Sequence, residues 1–402
     1  MSLSARRNHR QTERRIMDNP MTKKAPPLFF WQNMPTHHQA ASLDELARLW
    51  PAEVTGVWGS RISDARRRLG WAEPATTHLR HHYLASETKQ WKEEVRKLAD
   101  EHREAIHVFS GIGAYAPATY GFSCLSERKA PRLGLIVEPP IMLGWRRYVR
   151  HWKTKFYYHG HLEEIGCVFA MGSTAMSYYS ELGFSAARLF PFFYQEDVPP
   201  ASFRALGETL NLVYAGQVNF RKGLDTLIQS LPLLNGGPWT LTIYGDGPDR
   251  GRLEREVHQQ GLAAQVFFKG NTPSANLIRE LPQYDLCIVP SRFDGWGMVV
   301  NEALQSGVPV LASDRTGSSD LVRSSAAGSV FAAGDHRRIA ELISERLEDR
   351  ALLAQEKRAA VRFAPRIAPS VAAGYMRDTF RHVFLGEGER PAASWLSASE
   401  RS

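Results

Sequence analysis

Leu286-Cys-Ile-Val-Pro290 and Val308-Pro-Val-Leu-Ala312 enclose Asp294-Gly-Trp-Gly-Met-Val-Val-Asn-Glu302, and these stretches together decide the fold. The outer two are apolar throughout, as strands covered on both faces are. Between them a short helical stretch ends at Gly307, so the whole reads as a βαβ crossover. In such a unit the loop leaving the first strand and the opening turn of the helix face the ligand crevice, where free N–H groups suit a phosphate. Asp294 falls on that loop and Glu302 just inside the helix. Eight helical steps would set them ~12 Å apart at 1.5 Å per residue. Gly295 and Gly297 let the loop fold back, so both carboxylates can reach one bound molecule.

The same rhythm runs through the second half of the chain. Strands are expected at Leu210–Ala215, Trp239–Tyr244 and Val266–Lys269, with helices over Gly223–Leu234 and Asp249–Gln260. Apolar strands joined by helical crossovers mean a parallel sheet covered on both faces. The first half alternates in the same way. Leu28–Trp31, Ala105–Phe109, Leu133–Val137 and Cys167–Met171 read as strands, Ser42–Trp50 as an amphipathic helix, and Glu87–Glu104 as a long charged helix. Gln195–Glu208, polar and with two consecutive prolines, is the linker between the halves. The expected division is a basic tail at 1–26, a first domain at 27–194, a linker at 195–210, a second domain at 211–369 and a flexible tail at 386–402. A helix near 370–385 is expected to pack back on the first domain.

Length and composition agree with two ordinary domains. The chain has 402 residues, 43% apolar and 23% charged, enough for two cores and typical of a globular protein. No run approaches the ~20 apolar residues of a membrane-spanning helix, and the start lacks the apolar core of a secretory signal. A cytoplasmic protein is expected. Cys124, Cys167 and Cys287 are widely separated among apolar neighbours, which reads as three buried reduced thiols.

The net charge of +8 is unevenly spread. The first 24 residues carry seven Arg or Lys against two acids, with almost no apolar content, and read as disordered. Translation starting at Met17 or Met21 would remove most of that stretch. A second cluster, Trp145-Arg-Arg-Tyr-Val-Arg-His-Trp-Lys-Thr-Lys155, alternates cations with aromatic residues and contains no acid. It fits a solvated helix face or a helix on an anionic membrane surface, here the inner face of the plasma membrane, better than a nucleic-acid contact.

Four strands of the second half end in residues suited to a ligand. They are followed by Gly216-Gln217, by Gly245-Asp246-Gly247-Pro248, by the Asp294 loop and by Ser313-Asp314, all on one edge of the sheet. Lys222 opens a helix, where the positive end of the dipole disfavours a cation by up to ~1 kcal/mol. Arg221 doubles the mismatch. A bound diphosphate would turn the penalty into attraction.

Taken together, Gly216-Gln-Val-Asn-Phe-Arg-Lys222-Gly223, Tyr244-Gly-Asp-Gly-Pro248, Pro290-Ser-Arg-Phe-Asp294-Gly-Trp-Gly, Glu302-Ala and Gly307-Val-Pro-Val310 resemble the donor domain of retaining family 4 glycosyltransferases of the GT-B fold. The likeness covers residues 211–330 and extends weakly to Thr36-His-His-Gln39 and Ala170-Met-Gly-Ser. It implies two Rossmann-like α/β domains whose parallel sheets face each other across a cleft. It also implies transfer of a sugar from a UDP- or GDP-sugar to a hydroxyl of a glycan or lipid-linked acceptor in cell-envelope polysaccharide synthesis. The family's diphosphate-binding lysine falls on Lys222 and its companion arginine on Gln217, which carries no charge. The ribose-binding glutamate falls on Glu302, and the glutamate beside the sugar on Asp294, one methylene shorter. Main-chain N–H groups of Trp296, Gly297, Met298 and Val299 would meet the diphosphate or sugar, and Gly216 and Gly245 would line the site.

A lysine and a helix N-terminus can stabilise a leaving diphosphate without a metal. Neither an Asp-x-Asp pair nor a His/Cys cluster with ligand spacing is legible, so no metal and no cofactor is expected. His37, His38, His107 and Glu138 lie at or near strand ends in the first domain, as acceptor-side or catalytic candidates. Glu138 is the better exposed, and adjacent His37 and His38 are not expected to point into the cleft together. Three readings compete. Gly111-Ile-Gly-Ala-Tyr-Ala116 matches a permissive dinucleotide fingerprint with Glu138 as its acid, but Pro117 falls where the helix should start and no catalytic set accompanies it. The other two are a GT-B nucleotide-sugar epimerase and a non-catalytic nucleotide-sugar-binding subunit, the latter favoured by the departures at Gln217 and Asp294.

Overall fold

The computed structural model describes residues 25–68, 73–85, 90–113, 115–140 and 146–397. Residues 1–24 of the basic tail, and Ala114 and Trp145 of the motifs above, lie outside them. Apolar strands form two parallel sheets. In the first domain β1 (Leu28–Gln32), β2 (Val54–Trp58), β3 (Arg80–Tyr83), β4 (Ile106–Ser110), β5 (Leu133–Val137), β6 (Ile165–Met171) and β7 (Leu189–Phe192) stand in the order β3-β2-β1-β4-β5-β6-β7. In the second, β8 (Leu210–Ala215), β9 (Trp239–Tyr244), β10 (Val266–Gly270), β11 (Leu286–Val289), β12 (Val310–Ser313) and β13 (Gly328–Phe331) stand in the order β10-β9-β8-β11-β12-β13. Both orders reverse direction once, between β1 and β4 and between β8 and β11. Open parallel sheets bind ligands outside the carboxyl ends of the strands at such a switch point.

Helices cover both faces, and the strands under them are buried almost completely, from Leu28 and Phe30 in β1 to Cys287 and Ile288 in β11. The helix after β1 runs from His37 to Leu49, five residues earlier than its apolar periodicity suggests, because His37 and His38 form its first turn. The helix Ala116–Glu127 carries Pro117 in its first turn. That position needs no backbone donor, so the proline fits the helix start rather than opposing it.

The domains are stitched together by the end of the chain. The helix Pro369–Phe380 packs on His37–Leu49, and Phe380 sets its ring against Phe30, Trp50 and Phe169 of the first domain. The tail expected to be mobile is instead anchored over 386–397. Trp395 is buried against Phe193 and Tyr375, and Arg390 lies 4.1 Å over the ring of Phe190. A large apolar ring with a cavity to fill outweighs the polar residues around it.

The linker also departs from expectation at its start. Gln195 and Glu196 are buried; Ser42 donates to Gln195 Oε1 at 2.7 Å, and the Gln195 N–H to the His38 carbonyl at 3.0 Å. The three cysteines are unbridged and buried. Among the described residues no helix is long and apolar enough to cross a membrane.

Candidate active site

At the β8/β11 switch point two loops are fastened backbone to backbone. The Arg292 N–H donates to the Arg221 carbonyl at 2.8 Å. Gly223, with φ of 68°, presses so close to the Pro290 carbonyl that any Cβ would collide with it; only glycine serves there. This docking brings Lys222 to Asp294, 72 residues further on, as a hydrogen-bonded ion pair. Arg221 adds its guanidinium 3.6 Å from the other Asp294 oxygen and donates to the Phe293 carbonyl at 3.0 Å. The cation penalty at this helix start is therefore relieved by Asp294. Lys222 itself ends a 3₁₀ turn, Phe220–Lys222, whose Asn219 side chain accepts from the Lys222 N–H, and the helix proper is Leu224–Ser230.

Asp294 is pinned from the far side as well, its N–H donating to the Arg315 carbonyl and its carbonyl accepting from the Gly317 N–H. Behind it the helix Met298–Gln305 starts at Gly297. The first-turn N–H groups of Met298 and Val299 thus have no intrahelical partner. Trp296 is buried and donates to Asn301 Oδ1 at 2.7 Å, which makes its side chain part of the scaffold. Glu302, 5% exposed, accepts from Ser274 Oγ at 3.2 Å. Burial pushes its pKa up to about 8, Glu196 adds to the push, and Ser274 and Lys222 oppose it. Gln217 is exposed at the end of β8 and holds Asn219, beside Gly216, which packs against Gly245 of the next loop. Ser313 and Asp314 bond to the Ser291 carbonyl and the Ala333 N–H. They close turns.

From the first domain, Glu138 reaches this edge. Tyr194 donates to its Oε1 at 2.6 Å, and Gly295 lies so close that a Cβ there would strike Oε2. Burial raises its pKa, with the Asp294 charge adding and Tyr194 and Arg221 opposing. His107 does not reach the cleft. It is wholly buried, accepting from Trp31 Nε1 and bonding the His102 carbonyl, and burial lowers its pKa to about 4. A histidine in mid-strand with both nitrogens engaged is core, so it leaves the catalytic list. His37 and His38, expected to diverge, both stand beside the Glu196 carboxylate, at 3.7 and 3.0 Å. His37 reaches with its far nitrogen and His38 with its near one. Burial lowers both imidazoles to about 4 and pushes Glu196 up to about 7. The three donor atoms lie within 4.8 Å of one another, a grouping that no local spacing could announce. Arg221, Tyr194 and Glu196 are the residues missing from the sequence list. Only Arg221, beside Lys222, left a signal.

Residues 201–363 match the family model described as Glycosyl transferases group 1. That match takes in nearly all of the second domain. Solved structures similar to the whole chain show the GT-B fold. One is that of Anabaena Alr3699/HepE in complex with UDP and glucose, with a TM-score of 0.67 at 15% identity over 89% of this chain and 100% of the other. Another is the lipopolysaccharide outer core galactosyltransferase WaaB, with 0.63 at 13% over 89% and 99%. Among curated relatives, a GDP-mannose-dependent α-(1-6)-phosphatidylinositol monomannoside mannosyltransferase of Mycobacterium tuberculosis is 31% identical over 36% of this chain. The core lipopolysaccharide mannosyltransferase LpsB of Rhizobium meliloti is 33% identical over 45% of it. The matches span 40% and 50% of those two relatives. Within the matched residues Lys222, Asp294 and Glu302 share one sheet edge, while Gln217 is turned to its neighbour Asn219.

Proposed function

We propose that the protein transfers a sugar, with retention, from a UDP- or GDP-sugar to a hydroxyl of a glycan or glycolipid in cell-envelope polysaccharide synthesis. The observation that carries this reading is the convergence of Lys222, Arg221 and Asp294 with the buried Glu302 at the β8/β11 switch point. Two cations and the opening N–H groups of the helix Met298–Gln305 suit a diphosphate, and a buried carboxylate suits the ribose hydroxyls. Arg221 supplies the second positive charge that Gln217 lacks. The charge that builds on the departing diphosphate then meets groups already in place, with no metal required. In a same-face attack the bond from the acceptor oxygen to the sugar carbon forms, the sugar–phosphate bond breaks, and the diphosphate leaves with the electron pair and takes the hydroxyl proton. Asp294 and Glu138 flank the sugar.

The relatives' donors, GDP-mannose in the mannosyltransferase and UDP with glucose in the Anabaena structure, set the first compounds to try. Incubation with UDP-, GDP- and ADP-sugars should show one donor consumed, and NMR of the product anomer should show retention. Unchanged turnover in Glu302→Ala would sink the reading.

We also propose work at the inner face of the plasma membrane. The helix Arg146–His159 exposes Tyr148, Trp152 and Phe156, one turn apart on a single stripe. With no acid in its sequence, it suits an anionic bilayer. Sedimentation with phosphatidylglycerol vesicles should exceed that with phosphatidylcholine.

A further inference from the structure

Two imidazoles of the first domain aim at one carboxylate oxygen. His37 brings Nε2 to 3.7 Å from Glu196 Oε2, and His38 brings Nδ1 to 3.0 Å from the same atom. A hydrogen bond explains only His38 at that oxygen, since 3.7 Å is too long for one. A metal ion explains both. All three donor atoms lie within 4.8 Å of one another, and two imidazoles with a carboxylate are a donor set that divalent ions of the zinc class take.

The spacing suits such an ion. Two ligands of a tetrahedral zinc, each at ~2.1 Å, stand ~3.3 Å apart, and the two imidazole–carboxylate separations of 3.0 and 3.7 Å bracket that value. The rings turn about χ2, whose well is broad, to bring the imidazole pair in. Neighbours on a helix project about 100° apart, and it is the use of the far nitrogen of His37 and the near one of His38 that lets them meet at one point.

The scaffold holds the three groups in place. The histidines form the first turn of the helix His37–Leu49. Glu196 follows Gln195, whose N–H donates to the His38 carbonyl at 3.0 Å and whose side chain accepts from Ser42 at 2.7 Å. Gln305 of the second domain donates to the Glu196 carbonyl at 3.1 Å. Arg66 is close enough to both imidazoles to oppose an ion, but the carboxyl groups of Glu196 and of Asp197 beside it outnumber that cation. Glu196 is covered, with 9% of its side chain open, whereas His37 and His38 keep 21% and 19%. An ion and its waters can enter from the histidine side.

We infer that His37, His38 and Glu196 bind a divalent ion of the zinc class, with water completing its shell, where the first domain meets the linker. Magnesium and calcium prefer oxygen ligands throughout, which this set does not offer. Held between the helix His37–Leu49 and Glu196, whose carbonyl Gln305 grips from the second domain, the ion clasps the junction of the two domains. It does so whether or not the protein transfers sugar.

The test is calorimetric titration of the untagged full-length protein, stripped with EDTA and dialysed, with zinc chloride at neutral pH. One ion per chain should bind, and millimolar magnesium should not displace it. Cobalt(II) in its place should give visible d–d absorption. Glu196→Gln keeps the side-chain size and removes the charge, and His37→Ala removes the far nitrogen. Each variant, folded by circular dichroism, should bind zinc at least about tenfold more weakly. Zinc should raise the Tm of the wild type and leave that of both variants unchanged. Should Glu196→Gln fail to fold, His37→Ala decides alone. No zinc bound by the wild-type protein, or zinc bound as tightly by either folded variant, overturns the inference, the second result because the ion then sits on other histidines.

Discussion

Two lysine–aspartate pairs in the second domain have the same chemistry and opposite circumstances. Lys357 meets Asp285 at 2.9 Å with both side chains almost wholly buried. Asp285 also accepts from the Asn211 N–H and side chain, and Lys357 bonds the Tyr284 carbonyl as well. Burial pulls the Lys357 pKa down, with Asp285 opposing. Lys222 and Asp294 keep 18% and 11% of their side-chain surface open at a sheet edge. The first pair uses its hydrogen-bonding capacity inward and ties β8 to β11. The second leaves part of it toward the cleft. What separates a structural ion pair from a functional one is the capacity left over after folding.

That contrast breaks in measurable ways. Asp285→Ala leaves a buried ammonium unpaired, and unfolding should become easier by about 3–5 kcal/mol in urea titration. Nucleotide affinity of the molecules still folded should hold. Lys222→Ala should do the reverse, lowering kcat by roughly 10²–10³ while Tm stays put, as removal of one preorganised charge at a leaving group does. A large loss of Tm in Lys222→Ala would erase the distinction.

Glu302 sharpens it through pH. Its pKa is raised from 4.5 to about 8, so at pH 7 the free protein holds it mostly protonated, whereas a ribose clamp accepting two hydroxyls needs the carboxylate. Binding must expel that proton. Nucleotide affinity should therefore climb roughly tenfold from pH 7 to 9, and calorimetry in buffers of different ionisation heat should register close to one proton released. In Glu302→Gln both signals should vanish. For stability the sign is opposite, because a raised carboxyl pKa favours the folded state below pH 4.5 and that contribution fades as pH rises through 8. The smallest effect concerns the missing charge: Gln217→Arg should tighten diphosphate binding by about 1 kcal/mol, the difference between a neutral and a charge-assisted hydrogen bond. A nucleoside diphosphate titration reads it.

The second sheet was almost entirely legible, because fully buried strands such as Leu286–Val289 announce themselves as apolar runs. The strands that sequence missed lie at or beside sheet edges. β3 reads Arg80-His-His-Tyr83, β7 contains Pro191, β13 begins with Gly328, and β2 is interrupted by Gly56. Edge strands are free to be polar and to hold proline. The candidate site divides in the same way. Lys222, Asp294 and Glu302 stand at fixed offsets from strand ends, so spacing finds them. Their salt bridge, the Tyr194–Glu138 bond and the His37–His38–Glu196 group join residues 72, 56 and about 158 positions apart. Only folding brings those together.

The anchoring of Trp395 and Phe380 in the first domain has a consequence for how the protein is made. A ribosome delivers β1 to β7 long before the helix Pro369–Phe380 emerges, so Phe30, Trp50, Phe169 and Phe193 must wait with part of their surface uncovered. During synthesis the nascent first domain is an unfinished core that chaperones can recognise, and the last helix acts as its closing stitch.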